Sequence, residues 1–270
     1  MRIVPAASPP GPSVNGCLRT VLLVLLAAPL LCDAYTLEPS VSTLRSVGSD
    51  TGTFFRLQNR ERRPAAVEIS IQEHRKDQDG VTVTGPPADD SFVIYPQQVV
   101  MVPGDEVSVQ VRWIGDGTLQ AERAYTLVTR EVAIPPGFAP PQDTSGYRVQ
   151  VTVLLNYEAR IYVAPPRARP NVVVESVAEL RSDAPDAVSA PQLEVILANQ
   201  GAAHQDLSEL SFILTPVDAS DRPLSRNALR VPALGLPGTG PHLLAGDRRR
   251  VKIPRPGTFP AGPVHVQVSR

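Results

Sequence analysis

Apolar and polar residues alternate with a period of two along most of the chain. Val67, Ile69 and Ile71 alternate with Glu68, Ser70 and Gln72, and Val107, Val109 and Val111 alternate with Ser108 and Gln110. Tyr147, Val149, Val151, Val153 and Leu155 alternate with Arg148, Gln150 and Thr152. A period of two sends one face of each run into a core and the other toward water or a second surface. No long stretch of period 3.6 competes with it, so the pattern predicts an all-β protein. Turn chemistry separates the runs. Asp79-Gly80 sits between Ile69–His74 and Val81–Thr84 as a hairpin signal. Pro103-Gly104 parts the segment 92–102 from the Val107 strand, and Gly115-Asp116-Gly117 closes that strand before Tyr125–Val132. Strands at this spacing read as a sandwich.

The alternation pauses at Pro165-Pro166-Arg167-Ala168-Arg169-Pro170, a short and stiff joint. It resumes at Val172–Val177, Leu193–Ala198, Leu210–Leu214, Arg249–Ile253 and Val264–Val268. The expected organisation is a first sandwich over residues 35–164, a hinge over 165–170 and a second sandwich over 171–270. The 29 prolines cluster in turns and at the joint, which is not a disordered composition. Gly137–Ser145, rich in Gly, Pro and small polar residues, is expected to be a long loop between two strands.

Residues 1–34 bear on the compartment. Arg2 and Arg19 precede an unbroken apolar run from Val21 to Leu31, the length of a signal-peptide core and well short of a membrane span. Cys32-Asp33-Ala34 follows with small residues placed for cleavage after Ala34, which leaves Tyr35 as the first residue of an exported chain. A lipoprotein signal ending at Cys32 is the competitor, and Leu31 stands where such a signal needs a small residue. Both cysteines, Cys17 and Cys32, fall inside the removed segment, so the mature chain is expected to be without disulfides or a cysteine metal site. Removing two Arg and one Asp from 26 basic and 27 acidic residues leaves a net charge of −2. That balance excludes nothing except a strongly basic nucleic-acid binder. No further apolar run is long enough to enter a membrane.

Chemistry-bearing motifs are absent. There is no Gly-x-Ser-x-Gly elbow, phosphate loop or His-Glu-x-x-His. His74, His204, His242 and His265 are scattered, with none at metal-ligand spacing from another, and read as surface or turn residues. Asp77-x-Asp79-Gly80 lacks the later ligands of a calcium loop, and Asp89-Asp90 reads as a solvated loop. The expectation is a non-enzyme with no catalytic residues, metal or cofactor.

Several segments of the first half carry a resemblance. Phe92-Val-Ile-Tyr-Pro96, then Pro103-Gly104, then Val107–Trp113 resembles the F-x-x-x-P…P-G…V-R-V-x-W stretch of the periplasmic chaperones of the chaperone–usher pilus pathway. Glu122-Arg-Ala-Tyr125, Thr129-Arg-Glu131 and Ile134-Pro135 resemble that family's strand-F motif, and Arg160-Ile-Tyr-Val-Ala-Pro165 its strand G and entry to the hinge. Asn59 stands at a strand end where the family has an asparagine. The likeness covers most of residues 35–166 and is closest to the archaic branch; the second half resembles the family only in size and strand pattern.

The resemblance implies two Ig-like sandwiches in a boomerang arrangement, and a periplasmic chaperone that lends its strand G to pilus subunits and passes them to an outer-membrane usher. It implies that Val151, Val153 and Leu155 fill the subunit's groove. These three also share one face by alternation, which by itself fits ordinary core residues equally well. It implies that Arg160 anchors the subunit's C-terminal carboxylate, with Arg45 as the candidate second anchor although its spacing to Asn59 departs by two residues from the family's. The family's strand-E arginine falls near Gln110, and Arg112 is expected to replace it in a buried ion pair with Glu122. A second copy is a candidate cap for the donor strand in the free protein. The alternative reading is an exported structural or adhesive protein built of Ig-like modules, in which binding is independent of Arg160 and Val153.

Overall fold

The computed structural model of the chain describes residues 35–133, 153–180, 191–224, 228–238, 240, 242–260 and 262–270. The predicted signal segment 1–34, the predicted loop 137–145 and the predicted strand as far as residue 152, with Val151, lie outside the described residues. Ten strands make up the first part: β1 (Tyr35–Glu38), β2 (Val41–Arg45), β3 (Gly52–Asn59), β4 (Ala65–Lys76), β5 (Thr82–Pro87), β6 (Phe92–Tyr95), β7 (Gln98–Met101), β8 (Glu106–Trp113), β9 (Arg123–Val132) and β10 (Asn156–Ala164). Eight follow: β11 (Val172–Leu180), β12 (Gln192–Asn199), β13 (Gln205–Asp206), β14 (Ser211–Pro216), β15 (Leu229–Pro232), β16 (His242–Leu243), β17 (Arg248–Pro254) and β18 (Val264–Ser269). Single 3-10 turns at Asp89–Ser91 and Leu207–Glu209 are the only helical elements among the described residues.

The first sandwich closes a four-stranded sheet, β1-β3-β8-β6, over a larger one, β2-β10-β9-β4-β5, with β7 also paired to β4. Alternation explains why the two faces meet. Phe55 and Leu57 of β3, Val109 and Val111 of β8, Ile69 and Ile71 of β4 and Ile161 and Val163 of β10 are all buried, while Arg56, Ser108, Gln110, Ser70 and Glu158 point outward. Phe92, Trp113 and Tyr125 form an aromatic knot with centroids 5.0–5.7 Å apart. Such edge contacts contribute about 1 kcal/mol each beyond their buried area.

The segment 92–102 does not form one strand. Pro96, which has no N–H to give to a ladder, divides it. β6 pairs with β8 in one sheet and β7 with β4 in the other. Of the strand predicted at Tyr147–Leu155 only Val153–Leu155 are described; they precede β10, which starts at Asn156.

In the second sandwich β11-β12-β17 faces β15-β14-β18, with β13-β16 as a small ribbon. Leu193, Val195, Leu197, Phe212, Leu214, Val251, Ile253 and Val266 form its core. The five predicted strands of this half all lie within or over observed ones. Between the sandwiches, Arg169 and Asn171 tie the proline-rich joint to the 200–203 turn through bonds to Ala202, Ala203 and Gln200.

Both halves repeat one device. Asn59, at the end of β3, accepts from Glu61 N–H and donates to Arg63 O and Met101 O. Asn199, at the end of β12, accepts from Gly201 N–H and donates to Ala203 O and Leu243 O. Each asparagine carbonyl also accepts from the glycine of a Gly-Asp turn, Gly104 or Gly246. Both glycines have positive φ, +89° and +80°, a conformation that costs glycine little. The turns lead into β8 and β17, so the same bond set joins equivalent strands of the two sandwiches.

Candidate functional site

β10 has a partner along only part of one edge. On one side it pairs throughout with β9. On the other, β2 runs parallel to it from Arg160 to Ala164 and no further. Arg160 N–H donates to Ser40 O at 2.8 Å, pointing away from β9. By the two-residue period of the ladder, the backbone groups of Glu158 and Asn156 point the same way, where no strand lies among the described residues. The inward parity of Ile161, Ala159 and Tyr157 continues to Leu155 and Val153. Leu155 is half-buried and packs on the core of its own sandwich, whereas Val153 is 62% exposed.

A polar clamp fixes the start of this edge. The Glu131 carboxylate, fully buried at the end of β9, lies 2.6 Å from Arg63 Nη1 and accepts the Leu155 N–H at 3.1 Å. Arg63 also meets Glu61 at 2.7 Å and donates to Val153 O at 3.3 Å. Glu131 holds the Arg63 guanidinium above its ordinary pKa. Tyr35, whose phenol is pushed up to about 12 mainly by burial, donates to Thr129 O and Leu155 O.

Arg160 sits at the other end of the open edge, on the outer face of the sheet. It donates to Thr126 Oγ1 at 2.7 Å and meets Glu158 at 3.2 Å. Thr126 is its cross-strand partner on β9 and also the partner of Gln72 on β4. His74 and Lys76 follow Gln72 on the same face of β4. His74 Nδ1 lies 3.4 Å from Thr126 Oγ1. Burial, then the charges of Arg160, Lys76 and His242, lower the His74 pKa to about 4. The ring is therefore neutral near pH 7.

Arg45 is not brought to this cluster. It pairs with Ala164, four rungs along β2 from the Val41–Arg160 rung, a displacement of roughly 13 Å, and its side chain is exposed.

The expected Arg112–Glu122 ion pair does not form. Val111 and Trp113 face the core, so Arg112 between them must face solvent on the outer side of the four-stranded sheet. Glu122 lies in the loop before β9 and turns toward the second sandwich. Its carboxylate takes His204 Nδ1 at 2.6 Å and the His204 backbone N–H at 3.1 Å. His265 is exposed, as expected, but the other three histidines are not simple surface residues. His74 is 5% exposed. His204 stacks on Tyr162 of β10 with centroids 4.1 Å apart, and His242 packs edge-on against both rings. Burial, then neighbouring His204, lowers the His242 pKa, and burial pushes the Tyr162 phenol up to about 12. No spacing in the sequence signals this group, because its members come from different sandwiches, Glu122 and His204 from loops and Tyr162 and His242 from strands.

An open cleft of roughly 320 Å³ lies beside these residues, lined by Glu73, His74, Glu122 and Tyr125 from the first sandwich and Leu244 and Asp247 from the second. Among the described residues no three His, Cys, Asp or Glu side chains are grouped to hold a metal ion, and no helix is long and apolar enough to cross a membrane.

No family model matches the chain, and no curated protein matches it in sequence. Solved structures do match in fold. The class 5 fimbriae chaperone CfaA superimposes with a TM-score of 0.51 at 12% identity, over 88% of this chain and 99% of its own. A chain from the chaperone–tip adhesin complex of CFA/I fimbriae biogenesis gives 0.51 at 12% identity, over 87% and 98%. Identity at that level speaks to architecture, and the architecture agrees with the resemblance of the first half. The chain has the two-sandwich fold of the fimbrial chaperones.

Proposed function

We propose that the protein is a periplasmic chaperone that holds pilus subunits by strand addition and delivers them to an outer-membrane usher. The observation that carries this reading is the half-open edge of β10. Backbone groups at Asn156 and Glu158, which have no strand partner on that side among the described residues, offer hydrogen bonds to an added strand. Val153 presents an exposed apolar side chain at the head of that edge, and Arg160 stands at its other end as a cation for a terminal carboxylate. Burying Val153 contributes about 1.5–3 kcal/mol, and Val151 a similar amount if the strand parity continues to it. Leu155 adds less than a fully exposed leucine, since it already packs on its own core. A subunit with an incomplete sheet exposes an aggregation-prone edge, and covering that edge until handover is the chaperone's work. The chain from the solved tip-adhesin complex has the same fold, which supports a subunit as the partner here.

In the free protein a second copy covering the same edge would give a dimer that dissociates when subunit binds. The test is co-purification from the periplasm of the tagged chain, expressed with its own leader beside a pilin from the same source. A stoichiometric complex is expected, with Arg160→Ala and Val153→Glu each losing most of it while remaining folded. A pilin held equally by both variants, or not held at all, overturns the strand-addition mechanism and leaves a structural or adhesive role.

A further inference from the structure

Lys76 closes β4 on the face it shares with His74, with Thr126 one strand over and Arg160 two strands over. Its side chain is half-buried, and among the described residues its ammonium has no hydrogen bond or ion pair. Across from it stands Arg249 of β17, with no exposed surface. Among the described residues that guanidinium donates to two backbone carbonyls, Gly238 O and His242 O, and its Nε has no partner. Lys76 Nζ and Arg249 Nη1 both lie within 4.0 Å of the point where a side chain at Gly240 would begin. Two cations are thus held close together in a partly desolvated cleft, with Arg160 beyond His74. Asp247 is the acid whose charge acts on both, and burial raises its pKa. Burial and the charges of Arg249 and Arg160 likewise lower the Lys76 pKa.

Holding an unpaired ammonium in such a place is unfavourable for the free protein. An anion drawn in between Lys76 and Arg160, whose charges act on one another, relieves it, and a carboxylate suits the fork of the arginine. We infer that Lys76, not Arg45, is the second cation of the carboxylate site, with Arg249 as a positioning charge from the second sandwich. The inference rests on the chaperone reading above and gives it a different geometry: the subunit's terminal carboxylate is held by Arg160 of β10 and Lys76 of β4, and Arg249 makes the second sandwich a contributor to the field.

The experiment uses the complex of chain and pilin from the co-purification test, with the pilin carrying either its own C-terminus or a Gly-Ser-Gly-Ser extension. Lys76→Met is expected to cut the captured subunit about tenfold or more, Lys76→Arg to restore it, and Arg45→Met to leave it unchanged. Extending the pilin should cost as much as Lys76→Met, with no further loss when the two are combined; an additional loss would assign Lys76 to a side-chain carboxylate and overturn the terminal assignment. Free Lys76→Met should unfold no earlier than wild type, because the ammonium has no partner to lose. Full capture by Lys76→Met alongside loss in Arg160→Ala overturns the inference and leaves the chaperone reading standing. Full capture by both variants removes the reading and the inference together.

Discussion

His74 shows how much one buried ring can set at its site. Desolvation, followed by the charges of Arg160, Lys76 and His242, lowers its pKa from 6.5 to about 4. Above pH 6.5 the ring is neutral in folded and unfolded chains alike and stability does not depend on it. As the pH falls from 6.5 toward 4, the unfolded chain takes up a proton that the folded chain refuses. Stability is then lost across that window, by up to about 3 kcal/mol. His242, lowered for the same leading reason, adds a loss of the same sign. Urea unfolding at pH 7, 5.5 and 4.5 should therefore show a falling midpoint, with a clearly shallower fall in His74→Gln. An identical acid sensitivity in the variant would mean that His74 is not the group responsible. The neutral ring leaves Arg160 and Lys76 as the cations whose charges act on it from the first sandwich.

At the scale of elements, the repeated asparagine device accounts for how β3 meets β8 and how β12 meets β17. Asn59 is fully buried and Asn199 nearly so, each with both amide atoms in use. Truncation strands buried carbonyls and an N–H, at about 1–3 kcal/mol for such groups. Asn59→Ala and Asn199→Ala should each cost about 2–3 kcal/mol in thermal or denaturant unfolding. Amide exchange should speed up in the strands of the affected sandwich first. A loss under 0.5 kcal/mol would show that water replaces the side chain at no cost. Alternation made most of these strands legible: β4, β8 and the five long strands of the second half follow their apolar residues. The split of 92–102 was less so: the missing N–H of Pro96 marks a break, but no local signal sends its two halves to different sheets. The start of β10 was not legible, since period two runs without a break through Leu155 while the structure sets its first ladder residue at Asn156. The cluster of His74, Lys76, Thr126 and Arg160 carries no local signal. Its contacts span separations such as 34 and 52 residues, and each residue alone looks like an outward strand position.

For the whole molecule, two hydrogen-bonded contacts among the described residues join the sandwiches, besides the hinge and the packing of Tyr162 on His204 and His242. Glu122 bonds Ala202 O through its N–H and His204 through its carboxylate. The β4–β5 turn lies on β17: Arg250 N–H donates to Gln78 O at 2.7 Å, and its guanidinium meets Asp79 at 2.9 Å. Gly80 makes the second contact possible in two ways. Its φ of +81° suits glycine alone, and a Cβ there would sit 2.5 Å from Arg249 Nη1. The far end of an arginine is usually free to move aside, but this one is fully buried and tied to Gly238 O and His242 O. Relief must come instead from lifting the turn off β17. Gly80→Ala should therefore cost about 1–2 kcal/mol, from backbone strain and the lost contact. Its specific mark should be local: the Arg250 amide exchanges at least tenfold faster, while Val109 and Val195, in the two cores, keep their protection. Because Lys76 ends the strand that feeds this turn, lifting it also separates Lys76 from Arg249. Subunit capture should then weaken in Gly80→Ala even though Arg160, Lys76 and Arg249 are all retained. Unchanged exchange at Arg250 would mean that the turn repacks without opening. Faster exchange with full capture would mean that the field of Arg249 is not needed for holding a subunit.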